Sequence, residues 1–103
     1  MADEFDINRL DEIIHGRVRL GIMAVLSGVE HADFNTLKAR LQTTDGNLSV
    51  HLRKLEDAGY VEVTKTHQGR TPATLVQLTR RGRLAFEDYT AALKALLNPS
   101  EES

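Results

Sequence analysis

Seven residues within nine positions, Gly46, Asn47, Ser49, Val50, His51, Arg53 and Lys54, combine short hydrogen-bonding groups with cations. This is the chemistry of reading base edges and holding phosphate: small polar side chains let a backbone approach the major groove, and the cations beyond them meet the sugar–phosphate rails. The same segment carries Leu48, Leu52 and Leu55 at i, i+4 and i+7, which make one apolar stripe of a helix and leave its other faces to the polar residues. Leu37 and Leu41 give the preceding segment a matching stripe. Stripes this narrow are buried only against each other and a third element. Thr36 to Tyr60 therefore reads as two short helices joined by a polar turn at Gln42 to Thr44. Thr44 or Asp45 caps the second helix and Gly59 ends it.

Other chemistries find little support. His15, His31, His51 and His67 are the candidates for metal binding or acid–base work, but no two stand at the i, i+4 spacing that puts both on one helix face. The absence of cysteine excludes disulfides, thiolate metal sites and thiol redox sensing. Neither a nucleophile with a base and an orienting group nor a glycine-rich phosphate loop is recognisable. The expectation is a protein that is not an enzyme and holds no metal and no cofactor. Apolar runs fall far short of the roughly 20 residues that span a bilayer, and the leading MADEFDIN is acidic where a secretory signal is basic. A cytoplasmic chain with no membrane partner is expected.

A net charge of −2 in 103 residues argues against nucleic acid until its distribution is considered. Thr36 to Arg83 holds nine cations against four anions, a balance of +5 that leaves −7 for the rest. One face for phosphate, with acidic ends toward solvent or a partner, accounts for this, as does an ordinary solvated surface. Arg53 and Lys54 have Glu56 and Asp57 within pairing distance but sit on the groove side. Arg70, at the tip of a polar loop, has little to pack against and suits a phosphate or minor-groove contact. Arg80, Arg81 and Arg83 open a helix, where the dipole disfavours cations, so phosphate or salt links to the acidic ends are both open.

The elements that must position these residues number five helices and a two-stranded ribbon. Asp6 or Asn8 caps a first helix with Ile7, Leu10, Ile13 and Ile14 inward. A second helix runs roughly from Arg17 to Ser27, with Val18, Ile22, Val25 and Leu26 inward and Gly28 as its stop. Asn35 caps the third. After Gly59 the period switches to alternation: residues 60–65 and 74–79 read as strands with Val61, Val63, Val76 and Leu78 inward, joined by THQGRTPA as a hairpin tip. Thr79 caps a last helix reaching about Leu97, where Asn98-Pro99 stops it and the tail SEES frays. At this length the chain makes one mainly α domain with a small β-hairpin (α+β), spanning 1–103 around a core of about 16–80.

This order is that of a winged helix-turn-helix. DGNLSVHLRKLEDAGYVEVTK followed by GRTPATLVQLTRRGRLAF closely resembles the winged-helix transcriptional regulators of the MarR and ArsR type, above all compact members with little beyond the DNA-binding domain. The resemblance runs from about Ile7 to Leu93. Its most specific pieces are LSVHLRKLEDAGYV and LTRRGRLAF. It implies that Thr44 to Ala58 is a recognition helix, that residues 66–73 are the wing, and that the terminal helices, about 6–15 and 80–97, pair two subunits. Metal-sensing ArsR members use Cys clusters, or His with carboxylates on the terminal helix. That helix here offers Glu87 and Asp88 without His, so metal sensing is not carried over.

Ala85, Phe86, Tyr89, Ala92, Leu93, Leu96 and Leu97 form an apolar stripe several turns long, which either the first helix of the same chain or a two-fold partner must cover. The expected dimer face comprises Ile7, Leu10, Phe86, Tyr89, Leu93 and Leu96. Together these readings describe a homodimeric, sequence-specific regulator of double-stranded DNA that acts as a repressor. Gly46, Asn47, Ser49, Val50 and His51 read bases, Lys38, Arg53, Lys54 and Lys65 hold phosphate, and Arg70 extends the grip. A small-molecule effector has room at the dimer interface or beneath the first helices, but no constellation of polar groups marks its pocket. The alternative is a winged helix whose same face binds protein instead of DNA.

Overall fold

Helix formation begins at Arg17, because the segment before it satisfies its backbone locally. The computed structural model describes residues 6–98. In place of the expected first helix, Ile7–Arg9 forms a single 3₁₀ turn, capped by Asp6, whose carboxylate accepts from the Asn8 amide at 3.0 Å. Asp11 then makes a second turn, its side chain accepting from the Ile13 amide at 2.8 Å and its carbonyl from His15 at 2.8 Å. Two aspartates that bond amides two residues ahead compete with the helical ladder, and a segment this short cannot offset the cost of nucleation. The result is an extended arm, with Ile14 buried and Ile7 67% exposed.

Four α-helices follow: α1 (Arg17–Ser27), α2 (Phe34–Leu41), α3 (Asp45–Asp57) and α4 (Arg80–Leu97). The cap of α2 is Asp33, not Asn35; its side chain accepts from the Thr36 amide at 2.7 Å. Gln42 closes α2 in the left-handed region at φ 52°, and Thr44 opens α3 by accepting from the Asn47 amide. The sheet has three strands where two were expected, β1 (Ala32–Asp33), β2 (Val61–Gln68) and β3 (Thr71–Leu78), in antiparallel order β1-β3-β2. Ala32 faces Val76, and Val61 faces Leu78. The β2–β3 ribbon extends further than its composition suggested, so the tip shrinks to Gly69 and Arg70 between Gln68 and Thr71, with Gly69 at φ 65°. Pro72 lies where β1 no longer flanks β3, an edge position that tolerates its missing N–H.

The core is continuous: Val18, Ile22, Met23 and Leu26 of α1 pack with Leu37 of α2, the Leu48, Leu52 and Leu55 stripe of α3, and Val61, Val76 and Leu78 of the sheet. Val63 is half-buried beside it. Thr79 fastens the ribbon to α4: its amide donates to the Tyr60 carbonyl at 3.0 Å, its hydroxyl donates to the Gly59 carbonyl at 2.6 Å, and the same hydroxyl oxygen accepts from the Gly82 amide. The Tyr60 hydroxyl donates to Asp11, and burial first, then this carboxylate, pushes the phenol up to about 12. That bond ties the arm to the base of the wing. At the far end Asn98 terminates α4; the expected fraying of the tail lies outside the described residues.

Candidate nucleic-acid interface

With Leu48, Leu52 and Leu55 buried, the helical period decides where every other side chain of α3 points. Gly46, Val50 and Arg53 lie opposite the core, and Val50 is 55% exposed. Asn47, His51 and Lys54 follow one another at i, i+4 and i+7 along the flank that meets α1, while Ser49 lies on the other flank. These seven residues are thus brought onto one helix, with all but His51 exposed, whereas Lys38 lies half-buried on α2. Lys65 on β2 and Arg70 at the ribbon tip are exposed as well.

The side chains are not all free. The Lys38 ammonium lies 2.7 Å from the Asp45 carboxylate, a pair that spans the turn from α2 to α3. Asp45 also sits in the first turn of α3, where the helix dipole favours it. Lys38 therefore braces the turn before it meets any phosphate. Arg53 approaches Asp57 at 4.0 Å, one turn on, between exposed side chains, a contact worth little in water. Asn47 donates through Nδ2 to the Thr43 hydroxyl at 2.9 Å, which orients its amide. His51 is half-buried, with Nδ1 2.9 Å from Nη1 of Arg19; burial first, then the Arg19 and Lys54 charges, hold its pKa below the usual 6.5. Neither Arg19 nor the Lys38–Asp45 pair stood out in the sequence. A lysine seven residues before an acid across a turn gave a weak signal for the pair, whereas Arg19 and His51 stand 32 apart with no local pattern.

The remaining histidines are dispersed: His15 meets the Tyr89 hydroxyl at 2.7 Å through Nδ1, and His31 and His67 are exposed. Arg83 reaches the Ser27 carbonyl at 3.5 Å and Arg81 lies against Gly59, so both lean toward α4's own surroundings. The stripe of α4 divides. Tyr89, Ala92 and Ala95 are buried within the single chain, Leu10, Phe86 and Leu93 are half-buried against the core, and Leu96 is half-buried. Tyr89, expected at a dimer face, is thus 1% exposed before any partner arrives. Leu97 at 70% and Ile7 at 67% remain open.

Residues 18–97 match the family model described as a winged helix DNA-binding domain. The chain belongs to this winged-helix family. An uncharacterized protein of Methanocaldococcus jannaschii is 44% identical over 78 residues, covering 76% of this chain and 85% of its own. A solved transcriptional regulator homologue from Pyrococcus horikoshii superposes with a TM-score of 0.82 at 35% identity, over 86% of this chain and 88% of that one. In fold alone, the M. tuberculosis transcriptional regulator MOSR, solved in complex with DNA, is also similar: TM-score 0.70, 20% identity, 93% of this chain and 68% of that one. In this winged helix α2 and α3 are the helix-turn-helix pair and the β2–β3 ribbon is the wing. Among the described residues no helix is long and apolar enough to cross a membrane.

Proposed function

We propose that this winged helix is a transcriptional regulator that binds double-stranded DNA sequence-specifically as a homodimer and represses by occupying its operator. The observation that carries the reading is the outer surface of α3, where Gly46, Asn47, Ser49 and Val50 are exposed near the start and Arg53 and Lys54 follow. Near its N-terminus a recognition helix meets base edges, and cations further along meet phosphate. Apart from its chain neighbours and its own helix backbone, Gly46 has no heavy atom within 4 Å of where a Cβ would stand, so a base edge could approach its backbone closely. Lys65 and Arg70 extend the cationic surface along the wing.

Dimerisation rests on what α4 and the arm leave uncovered. Leu96, Leu97 and Ile7, joined by the half-buried Phe86, Leu93 and Leu10, supply an apolar face for a second copy. A two-fold pair sets its recognition helices about 34 Å apart, one turn of duplex. An effector would enter the open concavity along the arm, lined by Ile7, Leu10, Asp11, Ile13 and His15. The test is selection of bound fragments from the source genome, followed by fluorescence anisotropy on the enriched site. Enrichment of a two-fold symmetric sequence is expected; failure to enrich any sequence refutes the reading.

A further inference from the structure

The arm, α1 and the recognition helix meet at a single side chain. Arg19, half-buried on α1, donates through Nε to the Ile13 carbonyl at 2.6 Å, and its Nη1 lies 2.9 Å from Nδ1 of His51. A guanidinium carries donors only and keeps its charge, so the second contact is a hydrogen bond only when Nδ1 presents a lone pair. The contact therefore selects one form of the imidazole, neutral with its proton on Nε2. With Nδ1 occupied, the ring has one group left to offer: an N–H donor and no acceptor.

We propose that Arg19 is a positioning residue that holds His51 as a pure hydrogen-bond donor, so that His51 rejects cytosine and favours guanine, the base with two acceptors, in the major groove. The inference rests on the DNA-binding reading above and adds what α3 selects and which residue outside it sets the choice. Guanine presents two acceptors on its major-groove edge, N7 and O6. Adenine presents one beside a donor, thymine one beside a methyl group, and cytosine only its amino donor. An imidazole with Nδ1 free could turn and accept from cytosine or adenine. Arg19 removes that option.

The surroundings favour the neutral ring. Burial and the flanking charges of Arg19 and Lys54 disfavour the imidazolium, which would also set two cations face to face. Glu12 and Asp57 are the carboxylates that line the cleft shared by Arg19 and Lys54. Because the Ile13 carbonyl holds the other edge of the guanidinium, the path of the arm fixes where Arg19 stands.

Two measurements test the proposal, one of them without DNA. Nitrogen-15 NMR titration of His51 is expected to give a higher midpoint in Arg19→Met, with Nδ1 losing its hydrogen-bonded shift. Arg19→Gln, which keeps a donor, should retain that shift. Selection from a randomised duplex pool should then give guanine at one position of each half-site. That preference should fall about 5-fold in His51→Ala, the lower end of what a bidentate base contact is worth, because one N–H makes a single contact. It should fall comparably in Arg19→Met and no further in the double variant, and be largely retained in Arg19→Gln. A His51 titration indifferent to Arg19→Met overturns the proposal, as does a base preference that survives that change. A wild-type protein that enriches no sequence overturns the proposed function and this inference together, whereas enrichment insensitive to both changes overturns the inference alone.

Discussion

Gly82→Ala is expected to destabilise the protein even though it replaces the poorer helix former. Gly82 is the third residue of α4 and is buried. A Cβ there would stand 2.0 Å from the Tyr60 carbonyl oxygen, 2.8 Å from its carbon and 3.0 Å from the Tyr60 Cα. Ordinary carbon–oxygen contacts begin near about 3.3 Å, so α4 or the base of the wing must move by more than an ångström. That carbonyl accepts the Thr79 amide, and the Thr79 hydroxyl caps the Gly82 amide itself, so the movement loosens both bonds. Overpacking costs about 1–3 kcal/mol, the lost backbone bond about 1 and the weakened cap about 1. Helix propensity returns about 1 kcal/mol. The net loss is about 2–4 kcal/mol, a fall of at least about 8 °C in Tm for a domain of this size. Gly46→Ala is the control: it is also a helix glycine, but its Cβ meets nothing within 4 Å. Thermal and urea unfolding by circular dichroism at one protein concentration, so that any self-association acts on both alike, should separate the two. A Gly82→Ala protein as stable as wild type would refute the packing argument.

If the footprint includes six or more phosphates, affinity should fall by about 10³-fold or more between about 50 and 200 mM salt, and Arg70→Ala should flatten the logarithmic slope by about one unit. Anisotropy titrations that show no salt dependence would contradict the electrostatic footprint, and an unchanged slope would remove Arg70 from it. Leu96→Glu combined with Leu97→Glu, at partly and largely exposed positions, should yield folded monomers by light scattering, with weaker operator binding. A wild-type monomer at high concentration would end the dimer proposal. Asp33 has a pKa lowered from 3.8, first by the Thr36 backbone amide and then by the Thr36 side chain and Asn35. A folded-state pKa below the unfolded one contributes stability above pH 3.8, and that contribution disappears as pH falls through the lowered value. Asp33→Asn keeps the cap without the titration, so its stability difference from wild type should vanish in acid; a difference constant from pH 6 to pH 2 would contradict this.

What could be read beforehand follows the range of the interactions. Leu48, Leu52 and Leu55 announce α3 by spacing alone, Thr79 announces its cap, the sequence leaves Thr44 or Asp45 to cap α3 and Thr44 does, and the alternation around Val61 and Val76 announces the wing. The arm misled because Ile7, Leu10 and Ile14 keep a helical interval while Asp6 and Asp11 draw the nearby amides into turns. Two residues cannot show a period, so β1 emerges only when Ala32 and Asp33 find β3. Asp33 and Asn35 are equally good caps on paper, and the strand that ends at Asp33 decides between them. At the interface, residue types were legible but partners were not: Lys38 with Asp45, His51 with Arg19 and Tyr89 with His15 are meetings between elements.

The central claim, that α3 reads sequence, is tested most directly by comparing Asn47→Ala, His51→Ala and Lys54→Ala on the selected operator and on a scrambled duplex at one salt concentration. Each lost base contact should cost about 1–3 kcal/mol on the operator and nothing on the scrambled duplex. Lys54→Ala should weaken both alike, because a phosphate contact carries no direct sequence information. If Asn47→Ala and His51→Ala leave the specificity ratio unchanged while circular dichroism shows an intact fold, α3 does not read bases, and its exposed face serves a protein partner instead.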